Sequence, residues 1–466
     1  MREVLHIAYP LILTTASISI MHFFDRVFLS WYDPLTIAAS TPAGIASFTI
    51  ICPFMGIAAY TNTLVAQHFG AGEKDRCTRS TWQGIFFSLF AYGVILLFIP
   101  LGPAIFRLGG HAPGIIDLEL KYYTVLMWGG GLIPLNSAIS AFFSGLGDTR
   151  ATMWANVAGT VVNLFLDYAL IFGKWGFPEM GITGAAIATV FSSTIPVVIL
   201  LARFLFGSKY ADYRSRASFG FDHSLMGKLL RYGTPSGIQF FLDIFAFTLF
   251  VFLVGRLGES ELAVTNIVMG ICHLSFMPMI GLSMATSILV GQYMGRGSPE
   301  FAEKSTYTAL KIALIYMGSM AIIFMTFPGP LLGIFRPREG AGEIFSQMLA
   351  LGKPLMIMLA FFAFFDAFGI IFSGALKGAG DTRFPMWASV TLSWTIFVPP
   401  VYLTVEVYHA GVHLAWVWAI LYLSMLAIIL FRRFRRGKWK SIDMVGRDPA
   451  PPPLITTVMD ERITGE

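Results

Sequence analysis

The sequence predicts an all-α integral membrane protein of twelve transmembrane helices, arranged as two six-helix repeats, on three observations. Apolar residues make up 56% of the chain and charged residues 13%, where soluble domains are about one quarter charged. Apolar stretches of about 20 residues, the length that crosses a bilayer, recur throughout with a mean hydropathy of +0.69. The chain also matches itself: a shift of 225 places Pro10 on Pro235 and Val65-Ala-Gln67-His-Phe-Gly70-Ala-Gly72 on Val290-Gly-Gln292-Tyr-Met-Gly295-Arg-Gly297. A shift of 233 then lays Gly147-Asp-Thr-Arg150 and Met153-Trp154 over Gly380-Asp-Thr-Arg383 and Met386-Trp387. Six spans per half is an even number, so both halves enter the membrane alike and are related by an axis along its normal.

In chain order, the spans are expected near 4–30, 36–66, 82–106, 122–144, 152–172, 182–205, 225–255, 262–292, 305–327, 344–373, 385–405 and 411–431. No gap between them holds a folded soluble domain. The expected organisation is a six-helix lobe over 1–207, a linker over 208–224, a second lobe over 225–436 and a disordered tail over 437–466. The tail contains Asp448-Pro-Ala-Pro-Pro-Pro453 and lacks apolar periodicity. The first apolar segment starts almost at Met1 and is too long for the apolar region of a cleavable signal.

Orientation follows the basic residues. With both termini inside, about 24 Lys and Arg fall in inside segments and about 7 outside, Arg26 remaining within a helix. This predicts a multi-pass protein of the inner, cytoplasmic cell membrane with both termini cytoplasmic. The net charge of +5 is concentrated in loops and the segment after the last span, where it serves as a membrane flank touching anionic lipid; no nucleic-acid partner is expected. Cys52, Cys77 and Cys272 have no metal-ligand spacing and are expected as free thiols.

A carboxylate inside a spanning helix costs roughly 2.5–3.5 kcal/mol to insert and therefore marks a functional candidate. Asp25 is one such residue, with Arg26 beside it. Asn163 and Asp167 lie four apart and share a helix face. Together with Asp25 they can form an oxygen cage for a hard cation or a shared-proton site; alternatively Asp167 caps its helix and Asn163 bonds a neighbouring backbone. Asp243 and Asp366 are lone acids in equally apolar surroundings, either functional or paired with a buried base. Arg26 either pairs with Asp25 or points away, since adjacent helical residues do not share a face. Pro10 either bends the first helix or sits harmlessly in its first turn. His22, His273 and the methionines around the ninth and tenth spans either line an apolar, adaptable cavity or, for most of them, serve as packing or lipid contacts. Asp148 and Asp381 are expected to cap the following helices or pair with Arg150 and Arg383.

The paired Gln-X-X-Gly-X-Gly and Gly-Asp-Thr-Arg runs, the six-plus-six layout and Asp25 fifteen residues after Pro10 together resemble the multidrug and toxic compound extrusion (MATE) family over about residues 4–435. The resemblance implies a V-shaped pair of lobes that alternate access and export small organic, usually cationic compounds in exchange for Na+ or H+. It implies that Asp25, Asn163 and Asp167, with Thr189 as a further member, form a first-lobe cation or proton site, as in one branch of the family. It implies a second-lobe site at Asp243 and Asp366, as in another branch where a glutamate is common at the first of these positions, and a bend at Pro10. No cofactor beyond the coupling ion is expected, the expected state is a monomer, and no enzymatic activity is expected. The alternative is a lipid-linked precursor flippase of the same wider superfamily, which would need a cationic cavity. A prenyltransferase would need two Asp-X-X-Asp motifs, which the sequence lacks, and a channel accords less well with a twofold repeat carrying isolated acids.

Overall fold

Hydrocarbon offers the backbone no hydrogen-bonding partner, so a spanning segment satisfies its own amides as helix. In the computed structural model, which describes residues 1–108, 113–335 and 342–446 and the side chains of all these except 108 and 342–347, twelve helices have the length and composition to span a bilayer. They are α1 (Arg2–Tyr32), α2 (Pro34–Gly70), α3 (Lys74–Arg107), α4 (Pro113–Gly145), α5 (Thr149–Phe172) and α6 (Gly181–Phe206) in the first half. The second half comprises α7 (His223–Gly255), α8 (Glu259–Arg296), α9 (Pro299–Thr326), α10 (Met348–Ala379), α11 (Arg383–Val407) and α12 (Val412–Arg435). Among the described residues there is no strand.

Several helices outrun their apolar cores. α3 starts at Lys74, not near 82, because its polar first turns are helical as well, tied by an Arg79–Asp75 pair of 2.7 Å. Asp222 starts α7 by accepting from the backbone amides of Ser224 at 2.9 Å and Leu225 at 3.1 Å. α11 is wound as π-helix over Ser393–Phe397 and Leu403–Val407, on either side of Pro399 and Pro400, whose missing amides break the regular ladder. The three cysteines are free.

The halves exchange helix ends. Val4, Ile7, Ala8 and Leu11 of α1 are buried in the core of the second half, and Tyr293 of α8 donates to Glu3 Oε2 at 2.8 Å. Beyond Pro10 the same helix turns to its own half, where the Thr160 hydroxyl donates to the Ser17 carbonyl at 3.3 Å. The second half reciprocates: Leu229 near the start of α7 is buried with Ile57, Tyr60 and Leu64 of α2. Pro10 is in the third turn of its helix, which excludes the first-turn reading.

The repeated Gln-X-X-Gly-X-Gly runs meet where the halves cross. Gln67 Nε2 donates to the Gly378 carbonyl at 2.9 Å, and Gln292 Nε2 to the Gly145 carbonyl at 2.8 Å. The donors are related by the 225 shift and the acceptors by the 233 shift, so one contact is the symmetry mate of the other. Backbones approach so closely that a Cβ on Gly70 would lie 2.0 Å from the Gln292 carbonyl oxygen, and one on Gly295 2.0 Å from that of Gln67. This seals one end of the molecule.

The expectation of a disordered tail from residue 437 needs correction for its first ten residues. Lys438–Ser441 form a 3-10 turn in which Trp439 is fully buried, stacked on Phe434, because an indole of that size next to an apolar helix end is covered more favourably than left in water. Met444 follows into the seam between the halves: Tyr60 donates to its Sδ at 3.6 Å and Lys228 Nζ to its carbonyl at 2.6 Å. Residues 447–466 of that expectation lie outside the described residues. The two loop acids also differ from expectation. Asp148 is bonded by Lys209 and by the Tyr210 hydroxyl, and Asp381 by Arg433 at 2.7 Å, in place of Arg150 and Arg383. In both, a cation brought by tertiary packing displaces the one two residues along the chain.

Candidate functional site

Helical spacing puts Asn163 and Asp167 on one face of α5, and that face packs on α1 at Asp25. All three are buried, Asn163 and Asp167 completely. With its amide nitrogen turned inward, Asn163 donates to Asp25 Oδ1 at 3.0 Å and to Asp167 Oδ2 at 3.2 Å; the amide orientation is assigned from these partners. Asp167 Oδ1 has no hydrogen-bond partner among the described residues. Two like charges around one amide in so dry a place are unfavourable unless a positive charge offsets them. Asp167 does not cap α5: the helix ends at Gly173 in the left-handed conformation, and a carboxylate cannot donate to the terminal carbonyls.

Asp25 also forms one wall of a cavity of about 550 Å³. Arg26 faces the same space, exposed and without an ion pair to Asp25. The nearer base is His22, one turn earlier, whose Nδ1 lies 3.6 Å from Asp25 Oδ2. Thr189 lies on the cavity wall, but its hydroxyl donates to the Ala185 carbonyl at 3.0 Å and makes no bond to the Asp25–Asn163–Asp167 cluster. Elsewhere the lining alternates apolar groups such as Ile18 and Phe48 with hydroxyls and amides such as Ser47, Asn136 and Asn156, and Ile244 and Thr248 of α7 complete it. The cavity borders residues 40–55 of α2 whereas the seal uses 63–70 of the same helix, so the two lie at opposite ends.

In the second half, the Ser389 hydroxyl of α11 donates to Asp243 Oδ1 and lies 3.1 Å from the Tyr422 hydroxyl of α12. Asp366 is buried on α10, and its Oδ2 has no hydrogen-bond partner among the described residues. Both acids fall within electrostatic reach of Tyr422, and Lys377 within that of Asp243, without a salt bridge to either acid. The structure thus forms two separate acid sites, one per half, and does not unite them.

Sequence reasoning named His22, which does line the cavity, but missed its approach to Asp25, readable from their i, i+3 spacing; two further groups were missed altogether. Tyr122, within electrostatic reach of both Asp25 and Asp167, and Ser389 had no such signal, because each is brought in by a helix far away in the chain.

No group of three or more His, Cys, Asp or Glu side chains converges among the described residues. Within the cluster the carboxylates of Asp25 and Asp167 instead offer oxygens, the donor type of hard cations.

Among relatives, the chain is 29% identical to the probable multidrug resistance protein NorM of Thermotoga maritima over 82% of this chain and 81% of that one. It is 25% identical to the multidrug resistance protein NorM of Burkholderia vietnamiensis over 92% of each. Among solved structures, an outward-facing multidrug resistance MATE family transporter superposes with a TM-score of 0.84 at 22% identity, covering 94% of this chain and 96% of that one. A transporter from Pyrococcus furiosus, described as having a binding pocket of reversed polarity, superposes with a TM-score of 0.83, also at 22% identity, covering 94% and 96%. The MatE family model matches residues 10–169 and 235–403, one stretch in each half. With the repeat, the twelve spans and this match in agreement, the chain belongs to the MatE family of membrane transporters and is not an enzyme.

Proposed function

We propose that the protein is a secondary antiporter that exports small organic, cationic and amphipathic compounds across the inner cell membrane in exchange for Na+ or H+. The observation that carries this reading is the buried Asp25–Asn163–Asp167 cluster, which meets through Asp25 a cavity whose far side is sealed between the halves. The excess of Lys and Arg at the sealed end makes that end cytoplasmic, together with both termini, so the cavity faces outward. Moving one positive charge inward down 100 mV releases about 2.3 kcal/mol, equivalent to a concentration ratio of about fifty.

In this mechanism Asp25 and Asp167 hold the proton or cation. Asn163 serves both states: nitrogen inward it bonds the two carboxylates, and oxygen inward it completes a set of three oxygen donors. Thr189 contributes a hydroxyl on the cavity wall. Asp243 and Asp366 form a second coupling site, supported by the unpartnered Asp366 oxygen. Pro10 and its repeat mate Pro235 are the hinges, because each lies where its helix passes from one half to the other and each removes an intrahelical bond. Coupling follows if ion and substrate favour different arrangements of the lobes or compete for one. The protein functions as a monomer, since each lobe pair encloses its own cavity. A precursor flippase would need a predominantly cationic cavity; here His22 and Arg26 are the basic lining residues, beside Asp25.

Efflux from vesicles under imposed sodium or pH gradients tests the reading. Asp25→Asn and Asp167→Asn are each expected to abolish the dependence of transport on one of the two gradients. Ion dependence identical to the parent in both variants would reduce the cluster to a structural role.

A further inference from the structure

A second pocket, of about 410 Å³, lies at the sealed end on the outer flank of the first half. It is built by the Gly147-Asp-Thr-Arg150 turn, the last turn of α6 and the 3-10 turn Ser208–Tyr213 that begins the linker. Three cations line it: Arg150, Arg203 and Lys209. Lys209 is engaged by Asp148. Burial alone would raise the Asp148 carboxyl, but the bonds from Lys209 and Tyr210 outweigh it and hold the group below its usual range, so this acid stays ionised. Arg150 and Arg203 face the pocket with no carboxylate partner among the described residues. The pocket therefore carries three positive charges against one negative.

Its surroundings are apolar and face outward. Trp154, also in the lining, is 63% exposed, as is its repeat mate Trp387. Two exposed indoles at matching positions mark the level of a membrane interface, where tryptophan collects. From the pocket, exposed apolar side chains continue along both helices that flank it: Val161 and Phe165 on α5 follow Trp154 at helical spacing, and Val198 and Phe191 precede Phe206 on α6. A headgroup site thus opens onto a track for acyl chains.

We propose that this pocket seats the phosphate-bearing headgroup of an anionic phospholipid, with Arg150 and Arg203 on the phosphate, Trp154 at the glycerol level and the chains along α5 and α6. Arginine suits this role because its planar fork bonds phosphate oxygens in pairs. The site is distinct from the transport cavity, with which it shares no lining residue.

The test uses the full-length protein in detergent with phosphatidylglycerol, phosphatidylcholine of the same chains, or inorganic phosphate. Native mass spectrometry reads retained lipid and thermal unfolding reads stabilisation. The parent should retain phosphatidylglycerol and gain stability from it, but from neither of the others. At about 1 kcal/mol per basic residue, Arg150→Gln with Arg203→Gln should weaken retention roughly 25-fold, while Arg150→Lys with Arg203→Lys keeps most of it. Equal stabilisation by inorganic phosphate would identify a free-anion site and overturn the proposal, as would equal retention of phosphatidylcholine. Undiminished retention in a folded double glutamine variant would also overturn it. Should that variant not fold, the single substitutions serve, and each must lower retention about 5-fold.

Discussion

If the lobes alternate, the crossed glutamine bonds must break once per cycle, which makes them the place to perturb the equilibrium without touching the cavity. Gln67 and Gln292 are 2% and 7% exposed. Replacing either with alanine removes a bond of 2.9 or 2.8 Å and leaves the Gly378 or Gly145 carbonyl without its side-chain partner in a packed seam. Stranding a buried polar group costs about 1–3 kcal/mol, so the double variant loses about 2–6 kcal/mol from the sealed arrangement alone. Two-state transporters separate their conformations by only a few kcal/mol, so a shift of this size, a factor of roughly 30 or more, changes which state dominates. The assay is the distance between spin labels on the exposed residues Lys74 and Glu300, at the sealed end of each half, with Cys52, Cys77 and Cys272 replaced. Each single variant should add a longer-distance population, to a similar extent because the contacts are symmetry mates, and the double variant should be dominated by it. An unchanged distance distribution in a folded double variant would refute the latch.

Two further outcomes are expected. Asp243→Asn or Asp366→Asn should abolish drug resistance in a pump-deficient host at unchanged expression; full resistance in both singles and the double would remove the second-half site from the mechanism. Met444→Ala should lower the unfolding midpoint, since truncating a buried methionine costs about 2–5 kcal/mol, whereas ending the chain after Gly446 should not. Equal midpoints for the Met444→Ala variant and the parent would mean that the segment after α12 does not clamp the seam.

The sequence by itself determined the spans, the repeat, and the residues too costly to bury without purpose. Twelve apolar runs were legible because hydrocarbon leaves a spanning chain only the helix, and Asn163 with Asp167 because a spacing of four is a local property of that helix. The readable errors were also local: Asp148 and Asp381 were read as helix caps or as partners of the arginines two residues away, and the chain after Arg436 was taken as unstructured from its composition. What the tertiary structure decided was which helices meet. It brought Asp25 onto Asn163, turned Arg26 into the cavity, carried the start of α1 into the other half's core, and set each Gln-X-X-Gly-X-Gly run against a carbonyl of the opposite half. Helix periodicity fixes which side chains share a face, but which face meets which is fixed by close packing. Here that packing depends on Gly70 and Gly295, whose missing side chains admit another backbone where any Cβ would stand 2.0 Å from a carbonyl oxygen.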